Sequence, residues 1–139
     1  MSKSSLTFKH YIVERVSFEI NLEYSGRDLD VEMDLDTSNE IDGDNFATIL
    51  DLDLFPEAVK NDFPFNMKVR LIGLFTIQND EKEEIKESYI EKNSVSILFP
   101  YLRSIVSTYT ANSNVNTTIL PTINVIKYLE KKRRKDAEV

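Results

Sequence analysis

From Thr7 to Gln78 apolar residues recur at every second position, broken by polar clusters, and this period commits that part of the chain to β-strands. The alternation is cleanest from Asp28 to Asp36. There Leu29, Val31, Met33 and Leu35 face one way and Asp30, Glu32, Asp34 and Asp36 the other, which predicts one buried face and one carboxylate stripe. From Thr7 to Leu22 the even positions carry Phe8, His10, Ile12, Glu14, Val16, Phe18, Ile20 and Leu22, with Lys9, Arg15, Ser17, Glu19 and Asn21 among the odd ones. Tyr11 and Val13 also sit in the odd set, so this strand is expected to be covered on both faces over part of its length. After TSNEIDGDN, whose Asp42-Gly43 pair suits a turn with positive φ, Phe46 to Phe55 resumes the strand pattern before Pro56. Asn66 to Gln78 is the last strand, with Ile72 and Leu74 opposite the face of Met67, Val69, Leu71, Phe75 and Ile77.

Further on the period changes. Leu98, Tyr101, Leu102, Ile105, Val106 and Tyr109 form one stripe of an amphipathic helix. The charged segment Asn79–Asn93, anchored only by Ile85, Tyr89 and Ile90, reads as a connector or a frayed helix. Pro100 is compatible with the stripe if Ser94 or Ser96 caps the helix and the proline falls in its first turn. Ile97 and Phe99 lie off the stripe and call for further cover. The connection ANSNVNTTILPT is too long for a tight turn, and a last helix from Asn124 to about Lys135 presents Val125, Ile126, Tyr128 and Leu129. Strands first and helices after predict an α+β fold, a four-stranded antiparallel sheet backed by two C-terminal helices. At 139 residues this is a single domain, with residues 1–5 and 134–139 expected to be flexible.

A net charge of −7 argues against nucleic acid as the main partner, and the absence of cysteine removes disulfides, thiolate nucleophiles and thiolate-bound zinc. No apolar run is long enough to cross a membrane and the start lacks a signal-peptide pattern, so a cytoplasmic protein is expected.

Little in the chain points to chemistry. Asp34 with Asp36, and Asp51 with Asp53, each place two carboxylates on one strand face, where a hard cation or plain solvent would suit them. A calcium loop around Gly43 would need a glutamate where Ile49 stands. His10 is the only histidine, and three glycines cannot build a phosphate cradle. The cations from Lys131 to Lys135 suit a helix C-terminus better than a nucleic-acid patch. No cofactor or metal is expected. A rival reading from another class is a small ligand-binding or enzymatic domain using a carboxylate such as Glu14 in a closed pocket.

The run ILFPYLRSIV, followed by a long loop ending ILPTINV and a short helix, resembles the SecB family of export chaperones. FKHYIVERVSFEI, DVEMDLDT and IGLFTI resemble that family's first, second and fourth strands, so the likeness runs from Leu6 to Lys132. It implies a tetramer built as a dimer of dimers and a non-enzymatic function, an ATP-independent holdase gripping unfolded polypeptides in apolar grooves. The positions that match the groove are Val31, Met33, Leu35, Ile119, Leu120, Val125, Tyr128 and Leu129. The family's acidic docking face for the SecA motor is matched by Glu19, but Arg15 and Lys68 stand where carboxylates are expected. Some relatives instead serve an antitoxin, so the implied partners are unfolded clients with either SecA or an antitoxin, and neither nucleic acid nor membrane.

Overall fold

The computed structural model describes residues 5–78, 81–113, 115, 120 and 124–137. Strands β1 (Leu6–Ile20), β2 (Met33–Asp42), β3 (Asn45–Leu54) and β4 (Phe65–Ile77) form one antiparallel sheet in the order β1-β4-β3-β2. A short helix α1 (Ala58–Asn61) joins β3 to β4. After the sheet, α2 (Glu83–Ser88) runs through a π-helical turn (Tyr89–Asn93) into α3 (Ser94–Asn112), and α4 (Val125–Ala137) follows. The core lies between one face of the sheet and α3 and α4, around Leu50, Leu52, Met67, Val69, Leu71, Leu98, Leu102 and Val106.

Two β-bulges decide which side chains of β1 meet that core. Phe8 pairs with Phe75 but His10 with Leu74, and Val13 pairs with Leu71 but Arg15 with Arg70, so Lys9 and Glu14 are the inserted residues. Each insertion exchanges the faces. Between the bulges Tyr11 and Val13 turn toward the helices while His10 and Ile12 turn to the open side, and Val16 and Phe18 then return to the helical side. Tyr11 and Val13 therefore do not mark a strand covered twice. Tyr11 packs on Tyr101 with ring centroids 4.8 Å apart, and Phe18 on Phe65 and Tyr109 at 5.0 and 5.5 Å.

The second strand is displaced from the expected one. Asp28 to Glu32 lie outside β2, which instead includes Thr37–Asp42, a stretch that looked like polar loop. The chain ahead of β2 is tied to the β3–β4 connection: Ser25 donates from N and Oγ to Asp62 (2.9 and 2.5 Å), and Arg27 donates to the carbonyls of Asn61 and Asp62 (3.0 and 3.2 Å). Gly43 makes the β2–β3 turn with φ +61°, as its position after Asp42 predicts. Polar residues suit the far half of β2 because it is an edge strand.

The helices also depart from expectation in detail. Since the helical path begins at Glu83, Ser94 caps nothing; its hydroxyl donates to the Ile90 carbonyl (2.7 Å) and shares a buried hydrogen bond with Thr48 Oγ1 (2.7 Å). Asn39 Oδ1 lies 2.9 Å from Thr48 Oγ1 and competes with Ser94 Oγ for its single proton. Pro100 sits in the helix interior, not its first turn, but it and Ser96, whose carbonyl it leaves without an amide, are both exposed to water. Phe99 is buried in the main core, and Ile97 packs on a second cluster of Phe46, Phe75 and Ile77, so neither awaits another molecule. Residues 134–137 continue α4.

Candidate peptide-binding site

The proposed groove residues converge where α4 lies against the start of β2. Asn124 caps α4 by accepting a hydrogen bond from the Lys127 amide (3.0 Å), and the i, i+3, i+4 spacing then turns Val125, Tyr128 and Leu129 to the sheet. Leu35, Leu120, Val125 and Leu129 are buried in the core of the single chain. Val31, Met33 and Tyr128 are half-buried and pack against that core as an accessible rim. Ile119 lies outside the described residues. Leu120 is held from α3, where Arg103 Nε donates to its carbonyl (3.2 Å).

Polar contacts fasten the same junction. The Tyr128 hydroxyl accepts from the Leu35 amide (3.2 Å) and donates to the Met33 carbonyl (3.3 Å). Lys132, one turn further along α4, places its ammonium 3.2 Å from the Leu35 carbonyl, 2.6 Å from Asp34 and 2.5 Å from Asp36. Partial burial alone would lower the Lys132 pKa, but hydrogen bonds and charge from Asp34 and Asp36 outweigh it and hold the ammonium above its ordinary value. The Asp34–Asp36 pair thus grips a lysine of the same chain. Among the described residues no group of three or more His, Cys, Asp or Glu side chains is placed to hold a metal ion. Lys132 was missed in the sequence, although it lies on the stripe of Val125, Tyr128 and Leu129.

The open face of the sheet carries the residues matched to the motor-docking surface. Glu19 is exposed opposite Asn66, Arg15 faces Arg70 directly, and Ser17 faces Lys68. Arg70 is paired with Glu14 and Asp51, each at 3.5 Å. Signs are therefore mixed across this face. Glu14, the carboxylate of the rival enzymatic reading, is an exposed bulge residue in that ion pair and not a group sealed in a pocket.

Apolar surface remains uncovered along the β1 edge. Tyr11, Ile12, Val13 and Ile20 are 41–48% exposed, and Tyr101 and Tyr109 of α3 are exposed beside them. The expected shortage of cover is real, but it falls here and not at Ile97 or Phe99.

The family profile described as preprotein translocase subunit SecB matches residues 3–135. The chain belongs to the SecB family. It is 34% identical over 131 residues to an uncharacterized protein of Methanocaldococcus jannaschii, covering 88% of this chain and 81% of that one. It is also 30% identical over 115 residues to the protein-export protein SecB of Neorickettsia sennetsu, covering 76% and 69% respectively. Among solved structures it resembles the Mycobacterium tuberculosis SecB-like chaperone in complex with a ChAD peptide from the HigA1 antitoxin, with TM-score 0.68, 15% identity and coverage of 86% and 88%. That likeness establishes the SecB-like fold of a four-stranded antiparallel sheet with C-terminal helices. SecB-family proteins are non-enzymatic chaperones, so this SecB-family chain has a chaperone-like function and is not an enzyme. No helix among the described residues is long and apolar enough to cross a membrane.

Proposed function

We propose that this SecB-family protein is a cytoplasmic, nucleotide-independent holdase that grips unfolded polypeptides at the junction of β2 and α4. The observation that carries the reading is the half-buried apolar rim of Val31, Met33 and Tyr128, backed by buried Leu35, Leu120, Val125 and Leu129. Ile119 belongs to the same proposed set by its match to the family pattern. A flexible methionine beside an aromatic ring suits clients of varied sequence, because such a surface repacks around each of them. Assembly into a tetramer, a dimer of dimers, is supported by the uncovered apolar residues of β1, an edge strand of the sheet. Burying one such side chain contributes about 1.5–3 kcal/mol before association costs, so a few per subunit are enough to hold copies together.

Delivery to a SecA motor is weakly supported, since Arg15 and Lys68 interrupt the acidic character that Glu19 keeps on the open face. A client that is an antitoxin is the alternative, favoured by the fold shared with a chaperone solved with an antitoxin peptide. Purified protein should suppress aggregation of an unrelated unfolded polypeptide without nucleotide, and Met33→Glu should abolish this at unchanged native mass. Ile12→Asp with Val13→Lys should reduce the native mass in sedimentation. A wild-type protein that sediments as a monomer and leaves aggregation untouched would refute the proposal.

A further inference from the structure

Positive charge is concentrated in one element of this acidic chain. Six of the 17 Lys and Arg residues lie in α4, at Lys127 and from Lys131 to Lys135, with only Glu130 and Asp136 of the 24 Asp and Glu residues; the other 11 bases and 22 acids lie outside it. Helical spacing sorts the six. Lys132 turns to β2, where Asp34 and Asp36 hold it. Lys127, Lys131, Arg134 and Lys135 recur at i, i+4, i+7 and i+8, a stripe on the side of α4 opposite buried Val125 and Leu129. Arg133 stands apart from that stripe. All five remaining cations are exposed, and none makes an ion pair with another described residue.

Helix chemistry explains only half of the stripe. The macrodipole favours cations in the last turn, which accounts for Arg134 and Lys135. It disfavours one in the first turn, where Lys127 sits three residues after the capping Asn124, and it gives Lys131 nothing midway. The pairs Lys127 with Lys131 and Lys131 with Lys135 also set like charges side by side, which costs helix stability.

Position selects among anionic partners. Lys131 and Lys135 follow Tyr128 by three and seven residues and so lie on its side of α4, bordering the half-buried rim of Val31, Met33 and Tyr128. Asp34 and Asp36, which would repel an anion there, are already neutralised by Lys132 at 2.6 and 2.5 Å. The apolar face of α4 is packed on the core, so none is left to enter a lipid surface. A nucleic acid would bring a long row of phosphates to a chain of net charge −7, and no aromatic ring stands among the exposed cations to stack a base. A short run of carboxylates in an unfolded polypeptide suits the stripe on both counts.

We propose that Lys127, Lys131, Arg134 and Lys135 receive client carboxylates, so that the protein selects unfolded segments in which acidic residues flank an apolar stretch. This rests on the holdase reading and deepens it: the rim grips the stretch and the stripe selects its neighbours. The preference is opposite in sign to the one the net charge of −7 predicts. It prevails at contact because screening confines the field of the rest of the chain to about 8 Å at physiological salt. Each exposed ion pair formed tightens binding by about 1.4- to 5-fold.

The test uses three labelled peptides that share one apolar centre of leucine and phenylalanine and differ only in flanks of glutamate, serine or lysine. Binding to the full chain is followed by fluorescence anisotropy. The glutamate-flanked peptide should bind more tightly than the serine-flanked one by about 1.4- to 5-fold per pair formed, and the lysine-flanked peptide more weakly. The differences should collapse in about 1 M salt, where the screening length is about 3 Å. Lys131→Gln with Lys135→Gln should erase most of the glutamate preference and leave the serine-flanked peptide unchanged, whereas Arg133→Gln should keep the preference. Equal binding of the three, tighter binding of the lysine-flanked peptide, or an equal loss in Arg133→Gln would overturn the stripe as a selector. A polyuridylate strand that binds the stripe more tightly than the glutamate-flanked peptide would overturn the choice of partner in favour of nucleic acid. Failure of the wild-type protein to bind any of the three peptides would instead overturn the holdase reading beneath it.

Discussion

Gly73 offers a test of how closely α3 rides on the sheet. It lies mid-strand in β4, and a Cβ built there would stand 2.8 Å from Phe75 Cε2 and 2.9 and 3.1 Å from the two δ-methyls of Leu98. Leu98 is fully buried, so its methyls have little room to retreat. Overpacking of this kind costs about 1–3 kcal/mol, whereas replacing a strand glycine by alanine recovers about 0.4–1 kcal/mol of unfolded-chain entropy. Gly73→Ala should therefore lose roughly 1–2 kcal/mol and Gly73→Val about 3 kcal/mol or more. Strand propensity alone ranks the three residues in the reverse order, with valine best. The assay is urea denaturation at one fixed protein concentration, because the proposed assembly would make apparent stability depend on concentration. A second measurement isolates the contact. Leu98→Ala costs about 2–5 kcal/mol alone, but should cost less in the Gly73→Ala background, where the new methyl enters the vacated space. Stability rising from glycine to alanine to valine, or additivity within about 0.5 kcal/mol, would refute the close approach as the reason for the glycine.

Two other expectations concern polar contacts. Thr48→Val should destabilise the protein by about 0.5–1.5 kcal/mol, since it takes the hydroxyl partner from the half-buried Asn39 amide oxygen and leaves the buried Ser94 hydroxyl only its bond to the Ile90 carbonyl; Thr48→Val with Ser94→Ala should cost less than the sum of the single changes in denaturation midpoints. The Asp62 carboxyl is held below its ordinary pKa by side-chain and main-chain hydrogen bonds from Ser25, which outweigh the opposing desolvation, with a lesser contribution from the nearby Arg27 charge. Its contribution to stability is complete above the unfolded carboxyl pKa and is lost as pH falls through the lowered folded value, so Asp62→Asn should flatten the acid limb of the stability–pH curve.

Much of the fold was legible because the relevant signals are local. Period two over residues 7–78 and the stripe from Leu98 to Tyr109 reflect backbone geometry that each segment obeys by itself, and they correctly predicted sheet first and helices after. The candidate site was only partly legible. The match to the SecB pattern picked out eight positions, but it could not separate buried Leu35, Leu120, Val125 and Leu129 from the half-buried rim of Val31, Met33 and Tyr128. All are apolar or aromatic on faces of the right period, and burial depends on what packs opposite.

The amino-acid order by itself determined strands β1, β3 and β4, the amphipathic stripe and the turn at Gly43, since each follows from neighbours a few positions apart. Tertiary structure alone decided that bulges at Lys9 and Glu14 exchange the faces of β1, because a bulge is defined by the partner strand and not by the strand that carries it. It also decided that Ser94 joins a buried hydrogen-bond chain and caps no helix. Only folding could bring the Tyr128 hydroxyl onto the edge of β2, for Leu35 and Tyr128 stand 93 positions apart and meet only when the sheet is complete and α4 has docked on it.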